Sequence, residues 1–139
     1  MKTVFVTGAS GLMGSELCEA LLAKGFTVIG VGEKPPSCVD DPNFTFVQAS
    51  IDNKDAVIQG MHNGIDVLIH LACTVDNDFP NIITSAEEKK STVVDKYLYK
   101  AAITAGVNDM ILISTHQVYA PAKTREPIRE TADEKPVTV

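Results

Sequence analysis

The sequence predicts a three-layer α/β fold, a doubly wound parallel sheet of about five strands in the order 3-2-1-4-5. Two observations carry that expectation. Short apolar runs rich in β-branched residues alternate with stretches of helical periodicity over most of the 139 residues. A single glycine-rich turn, Thr7-Gly8-Ala9-Ser10-Gly11-Leu12-Met13-Gly14, joins the first run to the first periodic stretch. Alternation of this kind implies right-handed crossovers and a sheet covered on both faces. No internal repeat or second domain is visible, so residues 1–120 read as one unit and 121–139 as an irregular tail.

The elements follow in order. Thr3-Val4-Phe5-Val6 is the first strand. In the turn after it, glycine permits tight geometry and close backbone approach, while free N–H groups and the dipole of the next helix favour a pyrophosphate. Leu17, Leu21 and Leu22 mark one face of that helix, and Gly25 its end. Thr27-Val28-Ile29-Gly30-Val31 is the second strand, followed by Gly32-Glu33-Lys34, where the adenosine ribose of a dinucleotide would lie. The Glu33 carboxylate can accept both ribose hydroxyls and repel a 2′-phosphate, whereas Lys34 pulls the other way. The balance favours NAD and leaves NADP open.

Prolines 35, 36 and 42 mark a surface connection to a third strand, Phe44-Thr45-Phe46-Val47. Asp52 is placed to cap a short helix carrying Ala56, Val57 and Met61, closed around Gly64. The fourth strand is Asp66 to Cys73; His70 within it reads as a core or strand-end histidine bonded to backbone. Ser85-Ala86-Glu87-Glu88 is a capping-box pattern opening a helix with Val94, Leu98, Ala101 and Ala105 on one face and Gly106 beyond it. Tyr97 and Tyr99 on that helix read as packing residues. Met110-Ile111-Leu112-Ile113 is the fifth strand. As an apolar edge, it predicts a homo-oligomer or aggregation through that edge, or a covering by the 120–139 tail.

Composition narrows the class. Hydrophobic residues at 45% and charged residues at 22% describe a globular chain, neither disordered nor membrane-spanning. A formal charge of −6 argues against a nucleic-acid partner, because binding there depends on neutralising phosphates. Cys18, Cys38 and Cys73 lack paired spacing, so they read as reduced thiols with no metal site, and with no leader at Met1-Lys2-Thr3 the expected location is cytoplasmic.

Several of these stretches resemble one family. The TGxxGxxG spacing of residues 7–14 resembles the short-chain dehydrogenase/reductase superfamily, whose dinucleotide-binding domain is the Rossmann fold. Asp66 to Cys73 resembles its apolar strand ending in two small residues, and Tyr97-Leu98-Tyr99-Lys100-Ala101-Ala102 its Asn-Leu-Leu-Glu-Ala-Ala helix end. Ser114-Thr115-His116-Gln117-Val118-Tyr119 resembles the Ser-Ser-x-x-Val-Tyr-Gly segment of the extended group, the NAD-dependent epimerase/dehydratase type. Glu130-Thr131-Ala132-Asp133 is similar to a stretch preceding the catalytic helix. The resemblance implies a dinucleotide held by Gly8, Ser10, Gly11, Leu12, Met13 and Gly14, with Glu33 at the ribose. Ser50 and Ile51 stand where an Asp often contacts the adenine, and Gly32 occupies the more usual acidic position. Leu71, Ala72 and Cys73 border the ribose and nicotinamide. Thr115, with Ser114 beside it, falls on the active-site hydroxyl that polarises a substrate oxygen.

The family's chemistry also needs a Tyr and a Lys four residues later on one helix face, where the ammonium lowers the phenol pKa. By its spacing that Tyr is expected immediately after Val139. Tyr119 and Lys123 share the interval, but Pro121 disfavours helix at Ala120, so their side chains need not share a face. The resemblance therefore implies the NAD(P)-binding part of an epimerase, dehydratase or reductase, whose substrate is a sugar nucleotide or a small carbonyl or alcohol. A non-catalytic dinucleotide-binding or sensor module, or a Rossmann unit without a ligand, is the alternative.

Overall fold

A computed structural model describes residues 1–61, 64–72, 85–113, 129–132 and 134, with 85–89 as backbone only. The elements are β1 (Thr3–Thr7), α1 (Leu12–Ala23), β2 (Thr27–Gly32), a 3₁₀ turn (Ser37–Asp40), β3 (Phe44–Gln48), α2 (Lys54–Gly60), β4 (Val67–His70), α3 (Ser85–Thr104) and β5 (Asp109–Leu112). The strands form one parallel sheet in the order β3-β2-β1-β4-β5. This is the doubly wound Rossmann arrangement that the alternation of apolar runs predicts.

The strands β1 to β4 serve two cores, because successive side chains point to opposite faces. On β1, Val4 and Val6 pack with Cys18, Val28 and Ile69 under α1. Phe5 points the other way, to Ile29, Leu68, Val57 of α2 and Leu98 and Ala102 of α3. The middle of a central parallel strand buried on both faces must therefore be apolar, as Val4, Phe5 and Val6 are between the threonines at 3 and 7. Helices α1 and α3 both end in a Schellman motif. Gly25 and Gly106 take positive φ, and Phe26 N donates to Leu21 O as Val107 N does to Ala102 O.

Some expectations shift. The cap of α2 is Asn53, whose side chain accepts from Ala56 N, because the helix begins one residue later than Asp52 would place it. Asp52 instead pairs with Lys90 of α3. On α1, Leu17, Leu21 and Leu22 are only half-buried and the shorter Cys18 is the residue fully enclosed, because the helix rides close to the sheet. On α3, Ala102 is the enclosed alanine, with Ala101 and Ala105 packed beside the core. The fourth strand ends at His70 rather than 73, since the chain leaves the ladder beside Gly8.

The Cys18 thiol is pushed up to about 12, first by burial and then by neighbouring Cys38 and Glu19. It is a protonated filler of the α1 core and no nucleophile at neutral pH. No described helix is long and apolar enough to cross a membrane.

Leu98 is fully buried and joins α3 to Phe5 and Leu68. Leu98→Ala is expected to cost about 2–5 kcal/mol, read as a lower urea midpoint at unchanged slope.

Candidate functional site

In a parallel sheet all strand ends of one kind share an edge. At the carboxyl edge the strand order reverses between β1 and β4, since β1 continues through α1 to β2 on one side while β4 lies on the other. Doubly wound sheets take their ligands in the crevice at such a switch point.

The glycine turn forms one wall. Gly8 has φ +74°, and a Cβ there would stand 2.9 Å from Ala72 N. A Cβ on Gly14 would collide with the carbonyl oxygen of Gly8, so the first turn of α1 rests directly on the end of β1. Gly11 is different. Its N–H donates to Gly8 O at 3.0 Å, and an added Cβ would meet that oxygen at 3.3 Å, a contact a small shift relieves. The protein itself needs glycine at 8 and 14, while at 11 the missing side chain mainly leaves the outer surface bare. Gly11 is also the N-cap of α1, and it supplies no capping side chain; no acidic residue sits in the first turn. The positive end of the helix dipole thus has no acidic side chain of its own first turn to offset it. Leu12 and Met13 flank it, 87% and 61% exposed.

The second wall is the end of β2. Ser10 reaches across to it: its hydroxyl donates to Lys34 O and accepts from Lys34 N at 3.2 Å. Ala9 N donates to Val31 O at 2.9 Å, which ties the same two loops one residue earlier. Any Cβ on Gly32 would run into the Ser10 hydroxyl. Position 32 therefore has neither a side chain nor room for one while Ser10 keeps its rotamer. The acidic group nearest in sequence is Glu33, exposed, with its carbonyl held by Gln48 Nε2 at 3.1 Å.

Beyond β3, Ser50 and Ile51 are half-buried in the turn into α2. Ser50 O accepts from Asn53 N at 2.9 Å, and Ile51 O accepts from Tyr97 Oη. Burial, followed by the nearby Asp52, pushes Tyr97 up to about 12, so its phenol stays a donor. At the end of β4, Leu71 N donates to Thr7 O at 3.3 Å and Ala72 N to Thr7 Oγ1 at 3.3 Å. Cys73, Ser114 and Thr115 lie outside the described residues, as do Tyr119 and Lys123.

His70 departs from expectation. Its ring is held by side chains and not by backbone: Nδ1 lies 2.6 Å from Thr7 Oγ1, and Nε2 lies 3.0 Å from Asp95 Oδ1. Neither Thr7 nor Asp95 stands out in sequence, because the partners are 63 and 25 residues away. Among the described residues no three His, Cys, Asp or Glu side chains converge on a metal position.

Residues 4–139 match the NAD dependent epimerase/dehydratase family. The chain belongs to that family. Its curated relatives include the 3-beta-hydroxysteroid dehydrogenase of Mycolicibacterium neoaurum, 29% identical over 119 residues, an alignment covering 83% of this chain and 32% of that protein. Among solved structures it is similar to Bordetella bronchiseptica WbmH in complex with NAD⁺, at 26% identity and a TM-score of 0.78, covering 98% of this chain and 46% of the other. It is also similar to the UDP-glucose-4-epimerase of Stenotrophomonas maltophila with bound NAD and formylated UDP-arabinopyranose, at 25% identity and a TM-score of 0.79, covering 99% and 44%. The chain thus spans about a third of that curated relative and less than half of these solved family members.

The Ser10–Gly32 contact gives a test specific to this member of the epimerase/dehydratase family. Gly32→Asp is expected to cost about 1–3 kcal/mol, the range for overpacking a tight site. Ser10→Gly in the same chain should recover part of it. A double-mutant cycle in urea measures the coupling, which is expected to be favourable to the pair.

Proposed function

We propose that residues 1–120 are the NAD-binding part of an epimerase, dehydratase or reductase that acts on a sugar nucleotide or a small carbonyl or alcohol, with 121–139 leading towards its catalytic helix. The observation that carries the reading is the cradle at 8–14, where glycine is required at 8 and 14 by contact and left bare at 11, over an uncapped helix start. A pyrophosphate fits such a place because backbone N–H groups and the helix dipole complement its charge without a cation. The two NAD-bound relatives support the choice of dinucleotide.

In this reading the backbone of Gly8, Ser10, Gly11, Leu12, Met13 and Gly14 holds the pyrophosphate. Glu33 accepts from the adenosine ribose and disfavours a 2′-phosphate, while Ser50 and Ile51 border the adenine. Leu71, Ala72 and Cys73 border the ribose and nicotinamide. When bound, the nicotinamide supplies hydride exchange with a substrate carbon. Thr115, assisted by Ser114, donates a hydrogen bond to the substrate oxygen and stabilises charge there. The accompanying proton is the task of the Tyr-x-x-x-Lys pair that the family's chemistry requires.

Titration calorimetry on the 139-residue chain is the direct test. NAD(H) is expected to bind, and Gly11→Val to weaken it at least tenfold with unchanged circular dichroism. Equal affinity in both would overturn the reading. Glu33→Gln should improve NADP(H) relative to NAD(H) several-fold; an unmoved ratio would remove Glu33 from the ribose.

The same proposal extends to assembly. Met110, Ile111, Leu112 and Ile113 are between 44% and 56% exposed at the sheet edge. An apolar edge of this kind pairs with another chain. Sedimentation of the 139-residue chain should show concentration-dependent association that Ile111→Lys reduces.

A further inference from the structure

Thr7 and His70 are the buried polar side chains of the described core, 0% and 5% exposed, and they are bonded to each other. The proton positions around them can be assigned in turn. The Ala72 amide can only donate, so Thr7 Oγ1 receives it on a lone pair. The Asp95 carboxylate accepts, so His70 Nε2 carries a proton. With a single ring proton, on Nε2, Nδ1 is a lone pair and the Thr7 hydroxyl proton goes to it. A single directed chain results: His70 Nε2–H to Asp95, Thr7 O–H to His70 Nδ1, and Ala72 N–H to Thr7 Oγ1. Moving the ring proton to Nδ1 would instead set the Nε2 lone pair against the Asp95 carboxylate, acceptor against acceptor.

The chain starts on α3 and ends at the crevice. Its last member, Ala72, is the residue whose backbone stands 2.9 Å from the position a Cβ on Gly8 would take. Thr7 also sits immediately before Gly8, on the strand end that supports the first turn of α1. Two hydrogen bonds on one oxygen hold the Thr7 side chain in one rotamer, and that rotamer sets how closely β4 approaches the glycine turn. The ring of Tyr99 stands edge-on to His70 at a centroid distance of 6.4 Å, which limits rotation of the imidazole.

We propose that Asp95 is a positioning residue for the dinucleotide site, acting through His70 and Thr7 to hold Ala72 against Gly8 and so fix the spacing of the crevice between β1 and β4. This rests on the reading of residues 8–14 as the pyrophosphate cradle. Asp95 touches neither wall itself. Its effect comes from keeping the imidazole in the Nε2–H tautomer, the form that lets Thr7 donate to the ring and accept from Ala72 at once.

The test uses the 139-residue chain and two measurements. Ring nitrogen NMR is expected to show His70 as the Nε2–H tautomer in the wild type and in Asp95→Asn, which keeps an acceptor. In Asp95→Ala the two tautomers should mix. Calorimetry with NAD(H) is expected to show about fivefold weaker binding in Asp95→Ala and about tenfold in Thr7→Val, from the loss of one or two buried hydrogen bonds. Thr7→Ser, which restores the hydroxyl, should return to within about twofold of wild type; it also guards against a Thr7→Val chain that fails to fold. An Nδ1–H tautomer in the wild type overturns the proposal, as does wild-type affinity in folded Asp95→Ala and Thr7→Val. If the wild type binds no NAD(H), the cradle reading fails and with it the positioning role, whereas normal wild-type binding with unaffected variants removes the positioning role alone.

Discussion

Three stretches of backbone meet at Gly8. Its carbonyl lies under Gly14, its Cα faces the amide of Ala72, and its φ of +74° turns the chain from strand to helix. A side chain at 8 or 14 would force these stretches apart. The approach of α1 to the sheet, the end of β4 and the mouth of the crevice all depend on that contact. It is a steric constraint first. The electrostatic character of the site follows from it, because a helix start pressed onto a strand end presents its N–H groups to one point.

The two cores maintain this geometry from either side. Val4 and Val6 seat β1 against α1, and Phe5 seats it against α2 and α3. The crevice is thereby built on a strand that is buried from Val4 to Thr7, while Leu12, Met13, Glu33 and Lys34 in the turns beside it are exposed. Rigid support with an open rim suits ligand recognition, since little ordering remains to be done on binding. The polar pairs of the site belong to the same scheme. Ser10 joins the glycine turn to the end of β2, and Thr7 joins it to the end of β4.

Much of the fold was legible because periodicity and turn chemistry are local. The strands at 3–7, 27–32 and 44–48 announce themselves by β-branched runs, and Gly25 and Gly106 mark helix ends through the φ their motif demands. Boundaries were less legible. Asp52 and Asn53 are both sound capping residues, and only the helix start decides between them. On α1 each leucine carries more apolar surface than Cys18, yet closeness to the sheet gives the buried place to the smaller side chain.

What this sequence determined by itself is the fold class, the strand order and the place of the glycine turn, since each rests on residues adjacent in the chain or on chirality rules that hold for all such chains. What only the tertiary structure decided is which long-range pairs share the crevice. That Ser10 fills the space of a side chain at 32, and that Thr7, His70 and Asp95 form one hydrogen-bonded series, depends on strand register and helix docking. Hydroxyl, imidazole and carboxylate groups find many partners in principle. The parallel register of β1 and β4, Thr7 beside His70, selects the one that is made.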